Sequence, residues 1–153
     1  MTSGKAFDSV VTQVAVVVWD IDKARKNWAK LLGVPAPDVR ETAEQSQTGA
    51  EYMGQPTAGR AKLAFFNLGS VTLELIEPIG GPSTWREFLE TKGEGIHHIA
   101  FKVRGTDEIV KTLAPDGISL QQQGRFPGGR YTYLDAREPL GVIIELLETV
   151  EAK

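Results

Sequence analysis

The chain repeats itself, and the repeat limits its fold more than any other feature of the sequence. QVAVVV (13–18) has the pattern of HIAFKV (98–103), and LELIE (73–77) matches IELLE (144–148) almost letter for letter. From Gln13 to Gly33 is 20 positions, and from His98 to Gly117 is 19. Self-similarity of this kind marks a duplicated supersecondary unit. Residues 10–18, rich in β-branched side chains, read as a strand buried on both sides. Asp20 or Asp22 can cap a helix in which Ala24, Trp28, Leu31 and Leu32 recur at helical spacing, and Gly33 ends it. Residues 61–68 and 71–77 read as a hairpin, and PIGGP (78–82) as a break. Thr84 with Glu87 has the form of a capping box opening a short helix over 85–91. A strand over 96–103, a helix over 107–113 capped by Thr106 or Asp107, and strands over 118–123, 131–135 and 142–148 follow. Residues 38–60 are polar and glycine-rich and read as loops around one irregular strand.

The order is strand, helix, strands, then the same again. It predicts an α+β fold of two βαβββ modules, about 10–78 and 96–148, joined by a helical linker over 79–95 in a single domain. Each module has one helix to cover one sheet face, so the other faces close on each other as a cupped, barrel-like mixed sheet.

The repeat also aligns four polar exceptions in apolar strands: Gln13 with His98, and Glu74 with Glu145. A buried glutamate is rare unless paired, and an isolated buried carboxylate costs several kcal/mol. Two such costs at equivalent places need a common compensation, and a divalent cation is the simplest. One imidazole, one amide oxygen and two carboxylates suit zinc, nickel, cobalt, iron or manganese. The plainer alternative is a hydrogen-bonded core glutamine with two glutamates that pair with arginines or face solvent. The two histidines, His97 and His98, are adjacent, and neighbours in a strand point to opposite faces. The repeat favours His98 for the cavity, which puts His97 on the helix side as a hydrogen-bonded core histidine.

The chain has 153 residues, 41% hydrophobic, with a net charge of −3 and no cysteine. Thiolate ligands and nucleophiles are thereby excluded. No long apolar run spans a membrane, and the mild acidity argues against nucleic acid. MTSGKAFDS has neither the charged nor the apolar region of a secretory leader, so a cytoplasmic protein is expected.

LELIEP (73–78) and GEGIHHIAFKV (93–103) resemble the vicinal oxygen chelate superfamily, which includes glyoxalase I, methylmalonyl-CoA epimerase, extradiol dioxygenases and the bleomycin and fosfomycin resistance proteins. The resemblance covers nearly the whole chain and is closest to the epimerase and glyoxalase branches. It implies paired βαβββ modules with one divalent metal ion held by Gln13, Glu74, His98 and Glu145. Epimerases usually carry histidine where this chain has Gln13; the eukaryotic type of glyoxalase I carries glutamine there.

The implied reaction is proton removal from carbon next to a carbonyl, in an epimerase, an isomerase or a lyase of the lactoylglutathione type. The substrate is then a small molecule with an activated carbonyl, with Glu145 as base and Glu74 as second base or ligand. Tyr52, Trp85, Phe126, Arg130, Tyr131 and Tyr133 are candidates for the cavity or its rim, with Arg130 available to clamp an anionic group. Glu41, Glu44 and Glu51 lie where epimerases carry an additional acid, and each reads as a solvated loop carboxylate. Family analogy implies a homodimer. The alternatives are a metal-free small-molecule binding or resistance protein, or a dioxygenase of the same superfamily.

Overall fold

In the computed structural model, which describes residues 6–149, the β-branched run forms strand β1 (Val11–Val17). Helix α1 (Ile21–Leu32) follows, capped by the Asp20 carboxylate and closed by Gly33 in the left-handed conformation that glycine tolerates. Next come β2 (Arg40–Glu41), the single turn α2 (Gln45–Thr48), and the short hairpin of β3 (Glu51–Tyr52) and β4 (Gln55–Pro56). The long hairpin of β5 (Gly59–Asn67) and β6 (Thr72–Gly80) leads to α3 (Thr84–Lys92). The second half holds β7 (Gly95–Lys102), α4 (Thr106–Leu113), β8 (Ser119–Phe126), β9 (Gly129–Ala136), the short α5 (Arg137–Leu140) and β10 (Val142–Thr149).

All ten strands form one sheet in the order β2-β5-β6-β1-β7-β10-β9-β8-β3-β4. Parallel pairs β1–β6 and β7–β10 flank an antiparallel β1–β7 junction at the centre. The register repeats: Ala15 lies opposite Glu74 as Ala100 lies opposite Glu145. Gln13 and His98, each two residues before those alanines, therefore occupy equivalent places. The α+β, two-module cup expected from the sequence is the fold observed.

Helix α1 covers the outer face of the first half against Ala64, Phe66, Leu73 and Leu75. Helix α4 does the same for the second half against Leu134, Ala136, Ile144 and Leu146. The linker helix α3 lies inside the cup. Its Trp85 and Leu89 share one cluster with Ala15, Val17, Ala61, Ile76, Tyr133 and Ile143, drawn from five strands that a flat sheet would hold far apart.

The LELIE/IELLE repeat carries a second pair of glutamates whose roles the fold reveals. Three places along a strand reverse the face, so Glu77 and Glu148 point away from the cup. Glu77 Oε1 accepts the Ile21 N–H at the start of α1 at 2.9 Å. Glu148 accepts the Gly105 and Thr106 N–H groups at 3.2 and 3.1 Å and the Thr106 hydroxyl at 2.6 Å. The cap of α4 is thus a strand glutamate, in place of the expected Thr106 or Asp107. Glu148→Ala is expected to cost about 1–2 kcal/mol, the size of a lost N-cap, by urea denaturation.

Three other expectations are corrected. Residues 38–60 form three short strands and a helical turn, because the segment crosses from β2 at one end of the curled sheet to β8 near the other. Strand β6 runs on through Pro78 and Ile79, which pair with Ala61 and Arg60, so the break begins after Gly80. Ser83, not Thr84, caps α3: its hydroxyl accepts the Arg86 N–H at 3.1 Å. Among the described residues, no helix is long and apolar enough to cross a membrane.

Candidate functional site

Strand pairing carries one row of residues across the inner face: Gln13, Ala100, Glu145, Tyr133, Gln122 and Tyr52. The neighbouring row runs Phe65, Glu74, Ala15, His98 and Ile143. Ala15 and Ala100, both fully buried, sit at the centre of these rows. Glu74, His98 and Glu145 are buried polar groups beside them on this face.

His98 Nε2 lies 3.2 Å from Glu145 Oε1 and 3.6 Å from Glu74 Oε1, and the three ligand atoms lie within 4.8 Å of one another. All three atoms are buried, and none has a hydrogen-bond partner. Buried polar atoms are rarely left unsatisfied, so three that face one another mark a place for something else to bind. A divalent ion fits. Donors on adjacent corners around an ion with bonds of about 2.1 Å stand about 3.0–3.4 Å apart, close to the two histidine–carboxylate distances. Gln13 lies on the same face, in the row of Ala100 and Glu145. A potassium-like ion would satisfy the oxygens but would make less of an imidazole nitrogen.

Burial decides the charges in the metal-free state. It pushes Glu145 up to about 8, against a hydrogen bond from Tyr133 that works the other way. Glu74 is held well above the usual carboxylate range by burial and by the Glu145 charge. Burial also takes His98 down to about 3 and His97 well below its ordinary range.

These shifts oppose one another below pH 6.5 and separate above it. Depressed histidines give stability that grows with pH and is complete once unfolded histidine has lost its proton, near 6.5. Raised carboxylates give the reverse: the folded protein keeps a proton the unfolded chain has released, and that stability is lost as pH rises through the folded value. Between pH 6.5 and 8 only the carboxylates act, so the metal-free protein is expected to lose about 2 kcal/mol from Glu145 alone. Urea denaturation across that range in chelator checks this. A flat profile would contradict it.

Around the triad, Trp85 Nε1 donates to the Tyr133 hydroxyl at 3.1 Å, and Tyr133 in turn serves Glu145. Tyr131 is on the same face, its ring 5.4 Å from that of Tyr133 and its hydroxyl accepting from Gln122 Nε2 at 3.2 Å. Gly124 faces the Tyr131 ring so closely that a Cβ there would stand 2.7 Å from its hydroxyl. Tyr52 reaches the inner face from the β3 edge, and its phenol is raised by partial burial and the Glu87 carboxylate. Phe126 ends β8 on the same side, partly exposed at the rim.

Arg130 is corrected. It precedes Tyr131 by one residue and so faces outward, where Nη2 bonds Asp107 at 3.1 Å and Gln123 at 3.3 Å. It holds β9 to α4 and does not enter the cup. None of the three loop glutamates enters either: Glu41 is exposed near Arg60, Glu44 is exposed at the start of α2, and Glu51 accepts from Gln123 on the outer side.

His97 is the hydrogen-bonded core histidine expected, but the face it points to is corrected. The β1–β7 register shifts between Ala15 and Val16, where His98 and Ile96 are the successive partners, leaving His97 as the extra residue of a bulge. A bulge breaks the two-residue alternation. His97 therefore turns inward beside His98, with ring centroids 5.4 Å from Tyr133 and 5.3 Å from Phe88 of α3. Its Nδ1 lies 2.8 Å from His98 Nδ1, and its Nε2 3.1 Å from the Thr84 hydroxyl. Thr84, Gln121 and Gln122 were not candidates from the sequence; a polar QQQ run inside a strand was the available sign.

The sequence profile of the Glyoxalase/Bleomycin resistance protein/Dioxygenase superfamily matches residues 12–133. The chain is 34% identical over 140 residues to the uncharacterised protein YqjC of Bacillus subtilis (strain 168), covering 88% of this chain and 89% of that one. It is 27% identical over 140 residues to the mitochondrial methylmalonyl-CoA epimerase of Mus musculus, covering 89% of this chain and 71% of the other. The crystal structure of methylmalonyl-CoA epimerase from Mycobacterium tuberculosis superposes with a TM-score of 0.63 at 21% identity, over 99% of this chain and 94% of that one. A methylmalonyl-CoA epimerase in complex with methylmalonyl-CoA and NH4+ gives 0.61 at 19% identity, over 94% and 96%. The chain belongs to the Glyoxalase/Bleomycin resistance protein/Dioxygenase superfamily.

Proposed function

We propose that this protein is a metal-dependent epimerase or isomerase that removes a proton from carbon next to a thioester or similarly activated carbonyl. The observation that carries the reading is the convergence of three unsatisfied buried atoms, from Glu74, His98 and Glu145, in a cup lined by Tyr52, Tyr131 and Tyr133. Those three residues with Gln13 would hold a divalent ion. Bound there, it would act as a Lewis acid toward the substrate's carbonyl oxygen and stabilise the charge that develops on it.

The chain's own groups supply the rest. Glu145 takes the proton: it is the carboxylate closest to His98 Nε2 and is hydrogen-bonded by Tyr133. Tyr133, anchored by Trp85, holds that carboxylate in place. Glu74 occupies the repeat-equivalent position on β6, which suits it to act from the other side of the carbon. Two bases give epimerisation; one that shuttles the proton gives isomerisation or lyase chemistry on a hemithioacetal. Helix α3 in the cup keeps bulk water from the bases. A dioxygenase fits less well: the second imidazole near the site, His97, is engaged with His98, so a site with two histidines and one carboxylate is not formed. Family analogy adds a homodimer and a cytoplasmic location to the proposal.

The test is to incubate metal-loaded protein with methylmalonyl-CoA in deuterium oxide, and separately with a glutathione hemithioacetal. Deuterium entering the α-carbon is expected. Inertness toward both, with metal bound, would reject these substrates and direct the search to other activated carbonyls.

A further inference from the structure

His97 has no part in the proton transfer, yet it is almost fully buried and hydrogen-bonded at both ring nitrogens. Following the protons along its contacts gives it a role. The Thr84 hydroxyl has one proton, and it donates that proton to Gln121 Oε1 at 2.9 Å. Toward His97 Nε2, 3.1 Å away, it can then only accept, so Nε2 carries the hydrogen. A neutral imidazole has one N–H, which leaves His97 Nδ1 bare. Its partner 2.8 Å away is His98 Nδ1, which must therefore be the donor. That places the lone pair of His98 on Nε2, the atom that faces Glu74 and Glu145.

We propose that His97 is a positioning residue that locks His98 in the Nδ1–H tautomer and so presents the bare Nε2 to the two carboxylates. The role rests on the metal-site reading for its purpose, though not for its geometry. The bulge in β7 is what makes it available: without the extra residue His97 would face outward and could not reach its neighbour's ring. Gln121 sets the direction of the whole chain. With its amide reversed, every proton in the series would shift by one place, and His98 would point an N–H at the carboxylates. The Gln121 main-chain carbonyl accepts the Met53 N–H at 2.8 Å, which ties this part of β8 to the β3–β4 turn. Outer partners of metal-binding histidines commonly fix tautomer and ring orientation, and their removal lowers metal affinity about 10–100-fold.

Long-range nitrogen NMR on the metal-free, nitrogen-15-labelled protein reads the tautomers directly. His98 is expected protonated at Nδ1 and bare at Nε2, with His97 the reverse. His97→Phe keeps a buried ring but offers no acceptor; it is expected to give a mixture of His98 tautomers and an affinity for cobalt(II) lowered about 10–100-fold. His97→Asn, which offers a carbonyl near the place of Nδ1, is expected to recover most of both. A proton on Nε2 of His98 in the wild type overturns the proposal, and so does wild-type behaviour in the Phe variant. If the Phe variant fails to fold, the wild-type tautomers still decide. The expected tautomers in a protein that takes up no cobalt would uphold the lock and reject the metal reading alone.

Discussion

Glu145→Gln is expected to lower the rate of α-proton exchange by about 10²–10⁴-fold, the contribution of a positioned general base, while leaving the protein folded. Glutamine matches glutamate in shape, keeps an oxygen to accept from Tyr133, and leaves the His98 ring undisturbed. What it loses is the ability to take a proton, together with the negative charge of one would-be ligand of the ion, so metal content is measured beside the rate. The same change should stabilise the metal-free protein, because it removes one of two carboxylates that burial forces to compete in one small space. Activity and stability thus move in opposite directions, as expected of a residue kept for chemistry. Exchange in deuterium oxide and urea denaturation in chelator measure the two effects. Activity within a few-fold of wild type would remove Glu145 from the role of base and leave Glu74 to carry it.

His98→Ala has the other large expected effect, on the metal. It deletes the nitrogen that stands nearest both carboxylates and leaves Glu74 and Glu145 facing a void. Loss of an outer partner costs about 10–100-fold in affinity, and a direct ligand should cost more, so a drop beyond 100-fold is expected by calorimetric titration. The ring is fully buried in the described structure, and its loss also opens a cavity. A thermal midpoint measured alongside separates lost binding from lost fold. Unchanged affinity in a folded variant would show that the metal sits elsewhere.

The readable part of this protein was its duplication. LELIE and IELLE, with the two alanine-flanked positions of Gln13 and His98, defined the halves, and the strand register reproduces that alignment. The inner row that brings Tyr52, Tyr133 and Glu145 together follows from alternation once the strands are paired. The phase of a strand with no partner in view was harder to read: Arg130 and Tyr131 differ by one residue, and one residue decides between the cup and the outer face. The inward face of His97 was hidden for a related reason, since a bulge inserts a residue without a distinctive sequence. Ser83 and Thr84 can both cap a helix, and only the packing of α3 against Gln121 and His97 shows why Thr84 is engaged elsewhere. The edge strands within 38–60 are too short for any period to show, and the capping by Glu77 and Glu148 joins residues 56 and 42 positions apart.

Glu74, His98 and Glu145 are expected to form a metal centre. The most direct measurement is elemental analysis of the purified protein before and after reconstitution with zinc, nickel, cobalt, iron and manganese salts. About one divalent ion per chain is expected, with Glu74, His98 and Glu145 among its ligands. A protein that takes up none of these ions under any loading condition would contradict it and leave a metal-free small-molecule binding protein as the reading to pursue.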